Sequence, residues 1–276
     1  MKNLKIRMPH NSGFISLNTP QIMGILNFTP DSFSDGGKYF DKTSALRRAG
    51  EMILQGAAII DLGAESTRPN SLRISAEEEV KRLSEILPDL RKNFPDICIS
   101  VDTYKEEVAR YAIGEGADIV NDVFGGAFDC ARDETKMYKT CAELKCPVVI
   151  THNKPQSFAK GVVKDLLDSA AKAQECGMPK CDIIIDCGFG FNKNAETNID
   201  MLKNICDYSG LEYPHLLGVS RKSTLKKVAG LNLGDLDLAT IAVYAFALAK
   251  GGADIFRTHN VRAAKICLDL FLLQNE

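Results

Sequence analysis

Eight short runs of apolar and β-branched residues each give way to a residue that can bind a proton, an anion or a donor. These are Asn27, Asp61, Asp102, Asn121 followed by Asp122, His152, Asp186, the run Ser220-Arg221-Lys222, and Arg257 with His259. The carboxylates Asp102, Asp122 and Asp186 and the amide of Asn121 are acceptors, and a carboxylate takes two parallel hydrogen bonds from an amino-pyrimidine edge. The cations and imidazoles at the ends of the last two runs suit a phosphate-like anion. The ligand implied is bipolar, a heterocycle rich in N–H donors at one end and an anion at the other. A single Asp, Asn or Ser in such a place is an ordinary N-cap for the next helix. Lys222, Arg257 and the histidines are not N-cap residues, so one polar floor under one ligand accounts for more of the set. Within it Asp61 reads as structural, and Asp122 as a helix cap or a group behind the ligand contacts.

The elements that must position these residues alternate. Strand-type runs are expected at 22–28, 57–63, 97–103, 118–123, 147–151, 182–187, 214–220 and 254–259. Between them, apolar residues recur with helical spacing, as at 43–55, 76–93, 105–115, 162–176 and 238–250. Gly56, Gly116, Gly177 and Gly251 stand where helix C-caps are expected. Eight βα units in 276 residues, with strands apolar on both faces, predict a single (β/α)8 barrel domain over 1–276. A doubly wound sheet would carry a glycine-rich turn after its first strand, and here a long polar loop, 27–37, follows instead. The residues before the first strand are expected to form a short hairpin or cap at the bottom of the barrel. In such barrels the site lies at the C-terminal ends of the strands, where the polar residues above are found.

Composition narrows the function. The chain is 45% apolar and 25% charged, and 34 Lys and Arg nearly cancel 36 Asp and Glu to a net charge of −2. That balance argues against disorder and against nucleic acid as a partner. No stretch approaches the roughly 18 to 20 apolar residues of a membrane span, and residues 1–17 lack the apolar core of a secretion signal, so a cytoplasmic protein is expected. The 9 cysteines include no Cys-x-x-Cys pair and read as reduced packing residues rather than a zinc site. Gly188-Phe189-Gly190 lacks the third glycine of a dinucleotide fingerprint, and Lys222-Ser223-Thr224 lacks the glycines of a phosphate loop.

Two longer motifs carry a resemblance. Gly24-Ile25-Leu26-Asn27-Phe28-Thr29-Pro30-Asp31-Ser32-Phe33-Ser34-Asp35-Gly36-Gly37 resembles the first signature of the dihydropteroate synthases, and Asp61-Leu62-Gly63-Ala64-Glu65-Ser66-Thr67-Arg68-Pro69 resembles their second. Ser100-Val101-Asp102-Thr103, Asn121-Asp122, Asp186-Cys187-Gly188-Phe189-Gly190-Phe191, Ser220-Arg221-Lys222-Ser223 and Arg257-Thr258-His259 extend the match in order along the barrel. The resemblance implies a transferase of folate biosynthesis and a sulfonamide target. Such an enzyme joins a dihydropterin diphosphate to para-aminobenzoate and releases diphosphate.

The resemblance also implies roles. Asp102, Asn121, Asp186 and Lys222 would hold the pterin, with Asp186 on the 2-amino/N3 edge and Lys222 on the ring carbonyl and N5. Asn27, Arg257 and His259 would hold the diphosphate with Mg2+, for which Asn27 is the protein ligand; Mg2+ keeps much of its water and needs few protein groups. Phe33, Thr67, Arg68, Pro69, Phe191 and Ser223 would frame the aminobenzoate. Asp35, on the first loop, would stabilise the cation left when diphosphate departs and keep water from it. Asp35, Lys222, Arg257 and His259 thus form the expected catalytic set. A homodimer through the later helices is implied, and 238–246 is apolar enough to take part.

The chain departs from the family pattern in four places. The loop after the fifth strand reads Thr151-His152-Asn153-Lys154-Pro155, short and without the usual His-Met and glycine; Cys187 replaces a common Pro, Asn70 a common Gly, and Asn260 the Asp after the final His. Two other functions share the pterin floor. A methyltransferase acting on methyltetrahydrofolate would not need the 29–37 and 66–69 loops, and a pterin-binding protein without turnover would gain nothing from a leaving-group site.

Overall fold

A computed structural model describes residues 4–29, 42–66, 71–126, 135–229 and 236–273. The chain opens with an antiparallel hairpin, β1 (Lys5–Met8) and β2 (Gly13–Ser16), as the hairpin-or-cap expectation has it. Then follow β3 (Gln21–Asn27), α1 (Lys42–Leu54), β4 (Ile59–Gly63), α2 (Ala76–Asn93), β5 (Cys98–Asp102), α3 (Glu106–Gly114), β6 (Ile119–Asp122) and α4 (Lys136–Leu144). The second half runs β7 (Val148–Thr151), α5 (Ala159–Glu175), β8 (Ile183–Asp186), α6 (Ala195–Lys203), α7 (Cys206–Ser209), β9 (His215–Leu217), α8 (Ser223–Ala229), α9 (Leu236–Ala249), β10 (Ile255–Thr258) and α10 (Val261–Leu272). Strands β3 to β10 pair in parallel and close on themselves in the order β10-β3-β4-β5-β6-β7-β8-β9, the expected (β/α)8 barrel. Among the described residues no helix is long and apolar enough to cross a membrane.

The two-residue period of a strand decides what each side chain meets. Ile22, Leu26, Ile60, Leu62, Ile99, Val101, Val120, Ile150, Ile185 and Phe256 face outward and pack under the helices in one large core. Their neighbours Met23, Ile59, Cys98, Ile119, Val149, Ile184, Leu216 and Ile255 face inward and fill the lower barrel, closed from below by Ile6 and Leu17 of the hairpin segment. Two residues further along the same inward rows stand Asp61, Asn121, Asp186 and Arg257, and four further along β5 stands Asp102. The barrel is therefore dry at its base and polar at its mouth. Helix starts are capped away from these strand ends. Ser75 accepts from Glu78 N, Asn194 from Thr197 N and Asn260 from Ala263 N, so in these three units the cap is a later residue of the same loop and not the polar residue at the strand end. Gly56 and Gly116 end α1 and α3 at φ +99° and +100°, in the region that only glycine enters without strain.

Ile6 is fully buried against the barrel base. Replacing it with Ala removes apolar contact that nothing else fills, and chemical denaturation is expected to show a loss of about 2–5 kcal/mol. A loss below about 1 kcal/mol would show that the hairpin does not close the core.

Candidate active site

The register of the barrel brings the inward polar residues level with one another. Ile25 pairs with Asp61, Asp102 with Asn121, and Thr151 with Asp186 across neighbouring strands. Arg257 enters this layer from β10 and divides its guanidinium between two strands: Nε donates to Asp61 Oδ2 at 2.6 Å and Nη2 to Asp102 Oδ2 at 2.7 Å. Asn121 Nδ2 donates to the same Asp61 oxygen at 3.1 Å. Asp61 is thus committed to protein groups, in keeping with its structural reading. Its Oδ1 and the Oδ1 of Asp102 are buried and lack a hydrogen-bond partner. Burial pushes the Asp102 carboxyl up to about 7 against the pull of Arg257, with Asp61 and other nearby acids adding to the rise. Burial alone would weaken the charge on Arg257; Asp61 and Asp102 outweigh it and hold the guanidinium protonated.

Across the mouth, Lys222 Nζ donates to the Phe189 carbonyl at 2.6 Å and lies 4.0 Å from the centre of the Phe191 ring. Burial pushes this ammonium down to about 8, although Asp186 opposes the shift. Asp186 Oδ1 accepts from Gly188 N at 2.8 Å, which fixes the turn that follows β8. Ser220 accepts from the backbone N–H of His259 at 3.1 Å and lies 3.0 Å from its Nδ1. Both contacts are satisfied when the hydroxyl donates to Nδ1, which leaves the proton on Nε2. Asn27 stands half-buried at the end of β3, and Ser223 is exposed at the start of α8. Phe33, Asp35, Thr67, Arg68 and Pro69 lie outside the described residues.

The model of the pterin binding enzyme family matches residues 23–259. A dihydropteroate synthase of Streptococcus pyogenes is 42% identical over 256 residues, 91% of this chain and 94% of that protein. The solved dihydropteroate synthase of Xanthomonas albilineans with 4-aminobenzoic acid superposes with a TM-score of 0.88 at 30% identity, covering 98% of both chains. That of Coxiella burnetii in complex with pteroic acid gives 0.85 at 31% identity over 99% of both. The chain belongs to the dihydropteroate synthases, within the pterin binding enzymes.

Three residues of the expected polar floor turn away from it, and parity or a turn explains each. Asp122 lies on the outward row of β6, where its carboxylate accepts from Phe124 N at 2.9 Å and Gly126 N at 2.7 Å. It caps a loop turn rather than a helix, and burial pushes it up to about 6. His152 follows β7 on the outward side and meets Asp165 of α5 at 2.9 Å. Arg221 takes a left-handed backbone, φ +55°, and pairs outward with Asp237 at 2.7 Å. Two of the departures from the family pattern find a physical reading. Asn260 caps α10 and donates to Asp237 at 3.3 Å, which supports the segment beside His259. Cys187 is buried, and its thiol is pushed up to about 12 by that burial and by the neighbouring Asp186.

One cluster was not singled out by residue type alone. Lys105 bridges Glu65 and Glu79, 2.5 Å to each, and Tyr104 donates its hydroxyl to Glu65 at 3.0 Å. This nearly buried group ties the loop after β4 to α2 and to the loop after β5. Glu65 lies inside the second signature, yet only the fold brings it to Lys105.

Asp102 and Asp122 are expected to titrate near neutrality in the free protein. Carboxyl 13C NMR should show midpoints near 7 and 6 that disappear in Asp102→Asn and Asp122→Asn respectively. Midpoints for both below about 5, within the ordinary carboxylate range, would contradict this picture of burial.

Proposed function

We propose that this mouth condenses 6-hydroxymethyl-7,8-dihydropterin diphosphate with para-aminobenzoate, giving 7,8-dihydropteroate and diphosphate. The observation that carries the reading is one polar mouth in which the acceptors of β5, β6 and β8 meet two cations, Lys222 after β9 and Arg257 of β10, the latter already bound to Asp61 and Asp102. Asp102, Asn121 and Asp186 accept the N–H groups of the pterin, Asp186 taking the 2-amino/N3 edge. Lys222 donates to the ring carbonyl and N5. Arg257 engages two of its five N–H donors with Asp61 and Asp102, leaving others for the diphosphate beside His259 Nε2. Phe191 and Ser223, with Phe33, Thr67, Arg68 and Pro69, frame the aminobenzoate.

Chemistry follows from charge rather than from a protein nucleophile. The bond between the 6-methylene carbon and the diphosphate oxygen breaks as Arg257 and His259 stabilise the departing anion. The resulting cation is spread over the pterin, and Asp35 stabilises it and excludes water. The arylamine nitrogen then bonds to the methylene carbon and gives up its proton to the released diphosphate or to water. Mg2+ fits this arrangement with Asn27 as its protein ligand. Among the described residues no three His, Cys, Asp or Glu gather to hold a metal, so most of the coordination would come from diphosphate and water, as Mg2+ prefers. Bound there, it supplies charge neutralisation to the leaving group.

The same reading makes the chain a cytoplasmic, single-domain homodimer. Leu238 and Phe246 of α9, Ile266 and Leu270 of α10 and Leu273 just after it are exposed, and an open apolar groove of about 290 Å3 lies between α6 and α9. An apolar face of this kind is what a second copy would cover.

Asp186→Ala removes paired, charge-assisted hydrogen bonds worth about 3 kcal/mol together, so calorimetry should find pterin affinity lowered about 100-fold. Aminobenzoate-dependent diphosphate release should fall with it. Near-normal affinity in the variant would overturn the role given to Asp186.

A further inference from the structure

Lys193 lies just beyond the turn that carries Phe189 and Phe191. Its Nζ donates to three backbone carbonyls, those of His152 at 2.8 Å, Gly188 at 3.0 Å and Phe191 at 3.0 Å. An ammonium has three N–H donors and no acceptor, so this tripod uses all of them. The carbonyls come from two loops, one after β7 and one after β8. Those loops are packed as closely as backbone allows: a Cβ on Gly188, at φ +66°, would lie 1.9 Å from the His152 oxygen. Carbonyl dipoles whose negative ends converge repel one another, and a cation at their focus turns that repulsion into attraction. Asn192 Nδ2 ties the same loops by donating to Asn153 Oδ1 at 2.9 Å and to its carbonyl at 3.2 Å, but an amide has two N–H donors against the three of the ammonium. Burial pushes the Lys193 ammonium down to about 8, a cost the fold accepts.

The two carbonyls of the β8 loop flank Phe189, and the Phe189 carbonyl holds Lys222 at 2.6 Å. The Phe191 ring, at the edge of the tripod, lies against the Lys222 ammonium. We propose that Lys193 is a positioning residue for the reaction: by gathering three carbonyls it sets the 188–191 turn, and with it the Phe191 wall of the aminobenzoate site. Lys222 is also held by its own backbone N–H, which donates to the Val219 carbonyl at 3.2 Å, so its place at the pterin does not depend on Lys193; the proposal rests on the assignment of Phe191 to aminobenzoate. Asp102, Asn121 and Asp186 sit in strands and keep their places without Lys193.

The test is steady-state kinetics of Lys193→Met beside Phe191→Ala, with pterin affinity by calorimetry. Lys193→Met should raise the aminobenzoate KM about tenfold while pterin affinity stays within about threefold. A purely structural lysine would lower thermal stability and leave that split unmoved. In Lys193→Ala, n-propylammonium replaces the deleted side-chain atoms and is expected to restore the aminobenzoate KM. Tetramethylammonium, which has no N–H, should not. An unchanged KM in Lys193→Met, or equal response of Lys193→Ala to both cations, overturns the proposal. If Lys193→Met does not fold, the cation comparison on Lys193→Ala decides alone. Phe191→Ala separates the two layers of the argument. If it leaves the aminobenzoate KM unchanged, the site assignment fails; if it raises that KM while Lys193→Met does not, only the role of Lys193 fails.

Discussion

A guanidinium that points into the interior of a closed parallel barrel cannot remain there uncompensated. Desolvating a lone charge costs several kcal/mol or more, and Arg257 enters from β10 into the layer just above an apolar base. The structure answers with Asp61, wholly buried on β4, and Asp102 on β5. Once that pair is in place, Asn121 is oriented by the same Asp61 oxygen, and Asp102 keeps one oxygen without a protein partner. The layer is thus assembled around one cation before any ligand arrives. This is the preorganisation on which a reaction that develops opposite charges on pterin and diphosphate depends.

A second tier holds the loops that surround the layer, and it too is built from charges used for geometry. Lys105 between Glu65 and Glu79 fixes the start of the second signature loop. The chain Arg221, Asp237 and Asn260 braces the segment beside His259. Lys193 gathers the loops after β7 and β8. None of these need touch substrate; each braces a segment next in sequence to a residue that does in the proposed mechanism. Strands carry Asp102, Asn121, Asp186 and Arg257, whereas loops carry Lys222, Phe191 and His259.

Much of this could be read in the sequence because a parallel barrel writes its plan locally. The eight strands and the caps at Gly56 and Gly116 follow from apolar runs and glycine punctuation. The site set follows from what stands at the strand ends. Parity within a strand separates Asp61 and Asn121 from Asp122, and applying it at the strand ends would also have turned His152 outward. What could not be read is contact between loops far apart in the chain. Lys193 meets the His152 carbonyl 41 residues away, and Lys105 meets Glu65 across 40. Neither has a local pattern, since one lysine in a loop looks like any other until the barrel closes. Arg221 deceived for a related reason, its direction being set by a left-handed backbone that the residue type does not announce.

The most direct test of the central claim, that Arg257 and Asp61 are held in the barrel only as a pair, is a double-mutant cycle in chemical denaturation. Arg257→Met alone leaves Asp61 as an uncompensated buried carboxylate and should cost about 3–5 kcal/mol. Combining it with Asp61→Asn should recover a large part of that loss, because the remaining amide carries no charge to desolvate. Losses that simply add in the double variant would mean that the two charges do not depend on each other, and would contradict the account.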